Sequence, residues 1–254
     1  MTNGTLQVQR DGALVRLLLD APPMNLLDDA MVEDLRIAVS HAAADPAIKA
    51  LIFEGAGEHF SYGAKIQEHR PDAITESLPR FHALFRTLLD AAVPTLAVVR
   101  GRCLGGGLEL AAFCNWIFAA PDAQLGLPEI RLGVFPPLGS LILRERVPRP
   151  VAEMLCVTGI LVTSEEALEI GLVDQLAEDP SAAADAWIAA NLQPHSAVAL
   201  RHAMQAVRQP MREGFLRDLD AVERLYLDGV MRTEDAQEGI EAFLAKRPPR
   251  WKDR

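Results

Sequence analysis

GRCLGGGLELAAFCN, residues 101–115, sets three consecutive glycines directly before an apolar segment that carries a single acid, Glu109. It follows PTLAVVRG (94–101), an apolar, β-branched run that reads as a strand, so the glycines stand at a strand-to-helix turn. Two nucleotide-binding patterns fail here. Leu110 stands where the last glycine of GxGxxG belongs, and no lysine follows as GxxxxGK[ST] requires. Glycines at a helix start instead let a ligand approach the backbone: Gly105, Gly106 and Gly107 offer N–H groups without intrahelical acceptors, at the positive end of the helix dipole. Glu109, three residues after Gly106, projects from the same side of the helix as that amide. A carboxylate beside an oxyanion donor is placed for acid–base work; tight packing of helix on strand, with Glu109 solvated, explains the same spacing.

Outward from this stretch, ALVRLLLD (13–20), KALIFEG (49–55) and NWIFAA (115–120) also read as strands. Helical patterns lie between them at 28–45, with Asp28 as cap, and at 75–92. The alternation predicts an α/β fold with mostly parallel strands. From about residue 138 helices dominate, at 149–159, 163–171 (a capping-box start), 196–209, 211–231 and 233–247, with Pro194 and Pro210 as punctuation. Phe215, Leu216, Leu219, Val222 and Leu225 recur at helical spacing, a face that covers either the chain's own core or a subunit interface. Residues 1–194 are expected to form the core and 195–254 a helical C-terminal region.

A length of 254 residues, half of them hydrophobic, suits an ordinary globular protein. The net charge of −10 argues against nucleic-acid binding but not against an anionic small ligand. MTNGTLQVQRDG lacks the pattern of a leader and no run approaches ~18 apolar residues, so the mature protein is expected to begin near Met1, cross no membrane and stay in the cytoplasm. Cys103, Cys114 and Cys156 form no CxxC pair and read as buried small hydrophobes; the six histidines have no metal spacing, and no serine lies in GxSxG.

Two further segments carry chemistry. EHFSYGAKIQEH (58–69) places Gly63 and Ala64 in a turn after a strand, where a second amide either joins the first on one carbonyl oxygen or belongs to a plain loop. In APDAQLGLPEIRLGVFPPLGS (120–140), Glu129 stands among Leu, Pro, Ile and Phe. Buried there unpaired, it would hold its proton; paired with Glu109 it would give one protonated and one ionised acid; in an open loop it would face water.

Taken together, HFSYGAKI, GRCLGGGLELAAFCN and LGLPEIRLGVFP resemble, in order and spacing, the three signature segments of the crotonase, or enoyl-CoA hydratase/isomerase, superfamily. The resemblance spans essentially the whole chain. It implies a spiral of ββα units with a helical C-terminal trimerisation region, assembling as a trimer or hexamer. It implies an acyl-CoA thioester substrate, with no cofactor and no metal. Ala64 and Gly106 match the amides that bind the thioester oxygen, and Glu109 and Glu129 match the two glutamates of the hydratases. In the implied reaction the pair orients a water, Glu109 assists its attack at the β-carbon, and Glu129 exchanges a proton at the α-carbon. Members that only isomerise or hydrolyse commonly lack one acid, so hydration is favoured over those alternatives and over a silent acyl-CoA-binding oligomer.

The chain departs from the family pattern at Tyr62 and Lys65, where acyl chain and CoA enter, and at Pro136 and Pro137, where glycines are usual. Pro137 has no N–H to offer water or substrate. With Gly105 and Phe135 these residues are expected to shape the acyl pocket. HFSYGAKIQEHRPD and LGVFPP are similar to the cyclohexa-1,5-diene-1-carbonyl-CoA hydratase subfamily of aromatic degradation; Lys65, Gln67 and Pro136 stand apart from it, and straight-chain enoyl-CoA is the alternative substrate.

Overall fold

A computed structural model describes residues 4–70 and 73–254; the expected start at Met1 and the Pro71–Asp72 end of HFSYGAKIQEHRPD lie outside them. Strands β1 (Leu6–Asp11) and β2 (Leu14–Leu19) form an antiparallel hairpin, and α1 (Asp29–Ala44) follows with the Asp28 side chain accepting from the Met31 amide. Next come β3 (Ala50–Gly55), α2 (Ile74–Ala91), β4 (Thr95–Val99), β5 (Arg102–Leu104) and α3 (Gly106–Phe113). They are followed by β6 (Trp116–Ala119), β7 (Gln124–Gly126), α4 (Pro137–Arg146) and α5 (Arg149–Thr158). The remaining elements are β8 (Leu161–Thr163), α6 (Ser164–Glu169), β9 (Gln175–Leu176), α7 (Pro180–Asn191), α8 (Ala197–Arg224) and α9 (Glu234–Leu244).

The larger sheet runs β1-β2-β3-β4-β6-β9, parallel from β2 onward. All of β4 and nearly all of β3 is buried, which is why both read as unbroken apolar runs. The smaller sheet, β5-β7-β8, positions the site. Its β5 and β7 are parallel, with Leu104 opposite Gly126, and a bridge from Ser61 to Cys103 lays the 61–64 loop alongside β5. Whatever follows Ser61, Leu104 and Gly126 therefore emerges at one end, as ligand-binding segments do beyond the carboxyl ends of parallel strands.

In α8 the chain runs straight through Pro210, so the expected helix 196–209 and the larger part of the expected helix 211–231 are one element. Pro210 is exposed and removes a single ladder bond, while buried Arg208, Phe215 and Leu219 hold the helix down on both sides of it. Phe215 and Leu219 enter the main core and Leu216 and Val222 pack against it, whereas Leu225 is exposed. The face thus covers the chain's own core. The expected end of that helix at 231 is replaced by a π-helical turn at Leu225–Gly229 and a 3-10 turn at Val230–Arg232. Beyond α9 the tail folds back: the Arg254 carbonyl accepts from the Glu234 amide (2.9 Å) and the Lys252 amide donates to Asp235 (2.6 Å). Cys103 and Cys114 are buried; Cys156 is only partly so, because α5 presents Ala152 and Leu155 inward. Among the described residues no helix is long and apolar enough to cross a membrane.

Candidate active site

The three glycines of the opening stretch do different things. Gly105 has φ +53° and ψ −130°, backbone that a side chain resists, and it ends β5 with its amide bonded to the Gly126 carbonyl (2.9 Å). Gly106 opens α3, so its N–H has no intrahelical acceptor. Gly107 lies against Ser61: a methyl there would stand 2.8 Å from the serine Cβ.

The same bareness brings the first two segments together. A methyl on Gly63 would stand 2.9 Å from the Gly106 nitrogen, and one on Gly106 would stand 3.5 Å from the Ala64 nitrogen. The Ala64 and Gly106 nitrogens thus lie close together, and both residues line one cavity. The Leu104 amide donates to the Ser61 carbonyl (2.9 Å), which fixes the approach.

All eight residues of α3 are buried, and Glu109 is its one acid, 4% exposed. A helix apolar all round belongs in a core, so a charge on it needs compensation. The Gly139 amide in the first turn of α4 supplies part of it, donating to Glu109 Oε1 at 2.6 Å. Burial pushes the Glu109 carboxyl up to about 7, against the opposing pull of hydrogen bonds from Gly139 and Leu138. Glu129 sits on the 3-10 turn Pro128–Leu132 that follows β7. Burial, and then the nearby Glu109 charge, hold Glu129 well above the usual carboxylate range, and its Oε2 has no protein partner among the described residues. Of the arrangements open for these acids, the structure has both buried in one cavity, Glu109 bonded to the Gly139 amide and Glu129 Oε2 without a protein partner among the described residues.

A cavity of about 90 Å³ contains Ala64, Gly105, Gly106, Glu109, Glu129, Tyr62, Phe135 and Pro137 in its wall. Every expected site residue but Lys65 is there. Lys65 instead precedes the 3-10 turn Ile66–His69, where its carbonyl accepts from the Glu68 amide (2.9 Å). Sequence reading missed Phe81, His69 and Tyr226, which line the same cavity from α2, that turn and the π-helical turn after α8. No local motif marks Phe81 or Tyr226, and the Glu68-His69 pair gave no metal or nucleophile pattern. Burial holds His69 below its ordinary value and Glu68 above its own. An outer cavity of about 450 Å³ shares Tyr62, Ala64, Ile66, Pro128 and Leu132 with the inner one and is rimmed by Arg131, Phe243 and Arg247. A long ligand with a polar end would thread from one to the other.

The Glu129 turn is braced from the C-terminal side. Gly133, at the end of that turn, is packed so that a methyl on it would stand 2.7 Å from the Asp235 carbonyl and 3.1 Å from the Trp251 ring. The α9 helix and the tail therefore rest on the segment that carries the acid.

The chain is 45% identical over 247 residues to cyclohexa-1,5-dienecarbonyl-CoA hydratase of Thauera aromatica, covering 97% of this chain and 96% of that protein. It is 33% identical over 253 residues to 2,3-dehydroadipyl-CoA hydratase of Escherichia coli, covering 98% and 99%. Among solved structures, an enoyl-CoA hydratase from Mycobacterium avium superposes with a TM-score of 0.87 at 28% identity, over 98% of this chain and 100% of that one. A model of the enoyl-CoA hydratase/isomerase family matches residues 9–254, and the chain belongs to that family, with its crotonase fold and its lyase-type enzymes.

Proposed function

We propose that this enzyme adds water to the double bond of an enoyl-CoA, with a cyclic dienoyl-CoA such as cyclohexa-1,5-diene-1-carbonyl-CoA as its substrate. The observation that carries the reading is the pair of acids buried in one cavity beside the neighbouring Ala64 and Gly106 amides. The Ala64 and Gly106 N–H groups hold the thioester oxygen and stabilise the enolate that forms there. Ionised Glu109 takes a proton from water as the water oxygen bonds to the β-carbon. Protonated Glu129 gives its proton to the α-carbon as the enolate collapses, so water's two parts add across the bond and the two acids exchange proton states. Polarisation comes from backbone amides, and the reaction needs no cofactor. Similarity to the Thauera aromatica hydratase supports the cyclic substrate, as do Tyr62, Phe135 and Pro137 in the wall of the small inner cavity.

Incubation with crotonyl-CoA and with the cyclic dienoyl-CoA, following loss of enoyl absorbance, tests this directly. Faster turnover of the cyclic substrate is expected. Turnover of neither would end the hydratase assignment. Oxygen from labelled water should enter the product without release of free CoA; isomerisation would incorporate none, and thioester hydrolysis would release CoA. Self-association as a trimer or hexamer belongs to the same proposal, supported by apolar side chains left outside, among them Val157 (67% exposed) and Ile160 (45%). Light scattering of the eluting protein checks it.

A further inference from the structure

The chain has two tyrosines, and both line the inner cavity. Tyr62 has a partner, its hydroxyl lying 3.3 Å from His59 Nε2. Tyr226 is different. It is 1% exposed and among the largest fully buried side chains, yet it lines the cavity, and none of the side-chain hydrogen bonds among the described residues engages its hydroxyl. A phenol enclosed in apolar surroundings usually finds a hydrogen-bond partner. The ring is held: Phe135 meets it edge-on at 5.3 Å, and Ile74, Leu78, Val134 and Met231 surround it. The backbone is also specialised there, since Tyr226 stands on the π-helical turn that interrupts the end of α8, an irregularity that often accompanies function.

A second group in the cavity lacks a partner. Glu129 Oε2 is buried and unbonded. One lone phenol and one lone carboxyl oxygen that do not bond each other are matched by a third species that both accepts and donates, which is what a hydroxyl or a water does. Counting the bonds of the reacting water leads to the same place. One of its hydrogens is transferred to Glu109, the other stays on the oxygen and is donated as a hydrogen bond to Glu129 Oε2, and one lone pair attacks carbon. The other lone pair needs a donor. Pro137 faces the cavity without an N–H, and the Gly139 N–H is spent on Glu109. Ser77 Oγ donates to the Glu68 carbonyl (2.9 Å). The Tyr226 hydroxyl is left.

We propose that Tyr226 is a substrate-contacting residue whose hydroxyl donates a hydrogen bond to the oxygen being added to the double bond, the oxygen that Glu129 also contacts. Tyr226 keeps its own proton throughout; its contribution is to orient the oxygen toward the β-carbon and to recognise the hydroxyl of the product. The inference rests on the hydratase reading, and its test separates the two.

Tyr226→Phe removes the hydroxyl and keeps the ring against Phe135. Calorimetry compares the affinities of wild type and variant for the hydroxyacyl-CoA product and for its saturated analogue lacking the hydroxyl. The expected result is about a tenfold loss of affinity for the hydroxyacyl-CoA, an unchanged affinity for the saturated analogue, and a fall in kcat/KM of about tenfold or more. An unchanged ratio of the two affinities would overturn the assignment. A second measurement leaves the protein unmutated: with fluorotyrosine incorporated and the two signals assigned through Tyr62→Phe, the Tyr226 fluorine resonance should respond differently to the two ligands, and an identical response counts against the proposal. Wild-type protein that prefers the hydroxylated ligand yet hydrates no enoyl-CoA would end the hydratase reading and leave the role of Tyr226 standing.

Discussion

The Gly139 amide donates a 2.6 Å hydrogen bond to Glu109 Oε1, tying the acid of α3 to the first turn of α4. That bond sets the order of ionisation in the pair. It favours charge on Glu109, while Glu129 has an unpartnered oxygen and a charged neighbour, both of which favour its proton.

The pH dependence follows. Glu109 must be ionised and Glu129 protonated, so kcat/KM should rise with pH through about 7, where Glu109 ionises, and fall again at high pH as Glu129 loses its proton. Initial rates across buffers of constant ionic strength measure both limbs. In Glu109→Gln the acid limb should vanish and the rate drop at least ~100-fold; an acid limb that persists would assign it to another group.

Glu129→Gln should lower turnover at least ~100-fold with little change in CoA affinity, and should also stabilise the fold at pH 8. The sign comes from linkage. Burial and the Glu109 charge let Glu129 keep its proton in the folded state well above the ordinary value of 4.5 at which it ionises when unfolded. Stability from this group is complete below about 4.5 and is lost as pH rises toward its folded pKa. Each unit of that upward shift is worth ~1.4 kcal/mol, which the amide does not forfeit. Urea denaturation at pH 8 should show a higher midpoint for the variant, and the gap should close near pH 4.5.

Gly107→Ala should destabilise the protein by about 1–3 kcal/mol, because the new methyl meets the Ser61 Cβ at 2.8 Å and its carbonyl at 2.9 Å. Neither is the free end of a flexible side chain. The denaturation midpoint gives the cost. A smaller loss of activity than of stability would contradict the view that this contact aligns the Ala64 and Gly106 amides.

Pro210→Ala should raise the unfolding midpoint, with activity unchanged. The residue is exposed inside α8, where proline is less favourable than alanine by up to ~3 kcal/mol. A lower midpoint would mean that proline constrains the unfolded chain more than it harms the helix.

What could be read ahead of the structure was local or highly patterned. Asp28 and Thr163 are caps whose partners lie three residues away, and both act as such. The buried runs of β2, β3 and β4 announced themselves by composition. The start of α7 was equally readable, as Asp179 caps the helix with Pro180 in its first turn, yet the alanine-rich segment behind it shows no strong apolar stripe. Strands β5, β7 and β8 have three residues each, too few for a period to show, although they assemble the site. Glu109 and Glu129 stood out as lone acids among apolar neighbours. Tyr226 lies 97 positions beyond Glu129, and only packing of the π-helical turn against Phe135 brings it to the cavity. Pro210 misled because one lost N–H is outweighed by burial on either side, which no local rule counts.

The contact of Gly133 with Asp235 and Trp251 has a consequence for biosynthesis. The turn bearing Glu129 leaves the ribosome before Asp235 and Trp251, the residues that prop it. Until those residues emerge, the turn that carries the acid is without its brace.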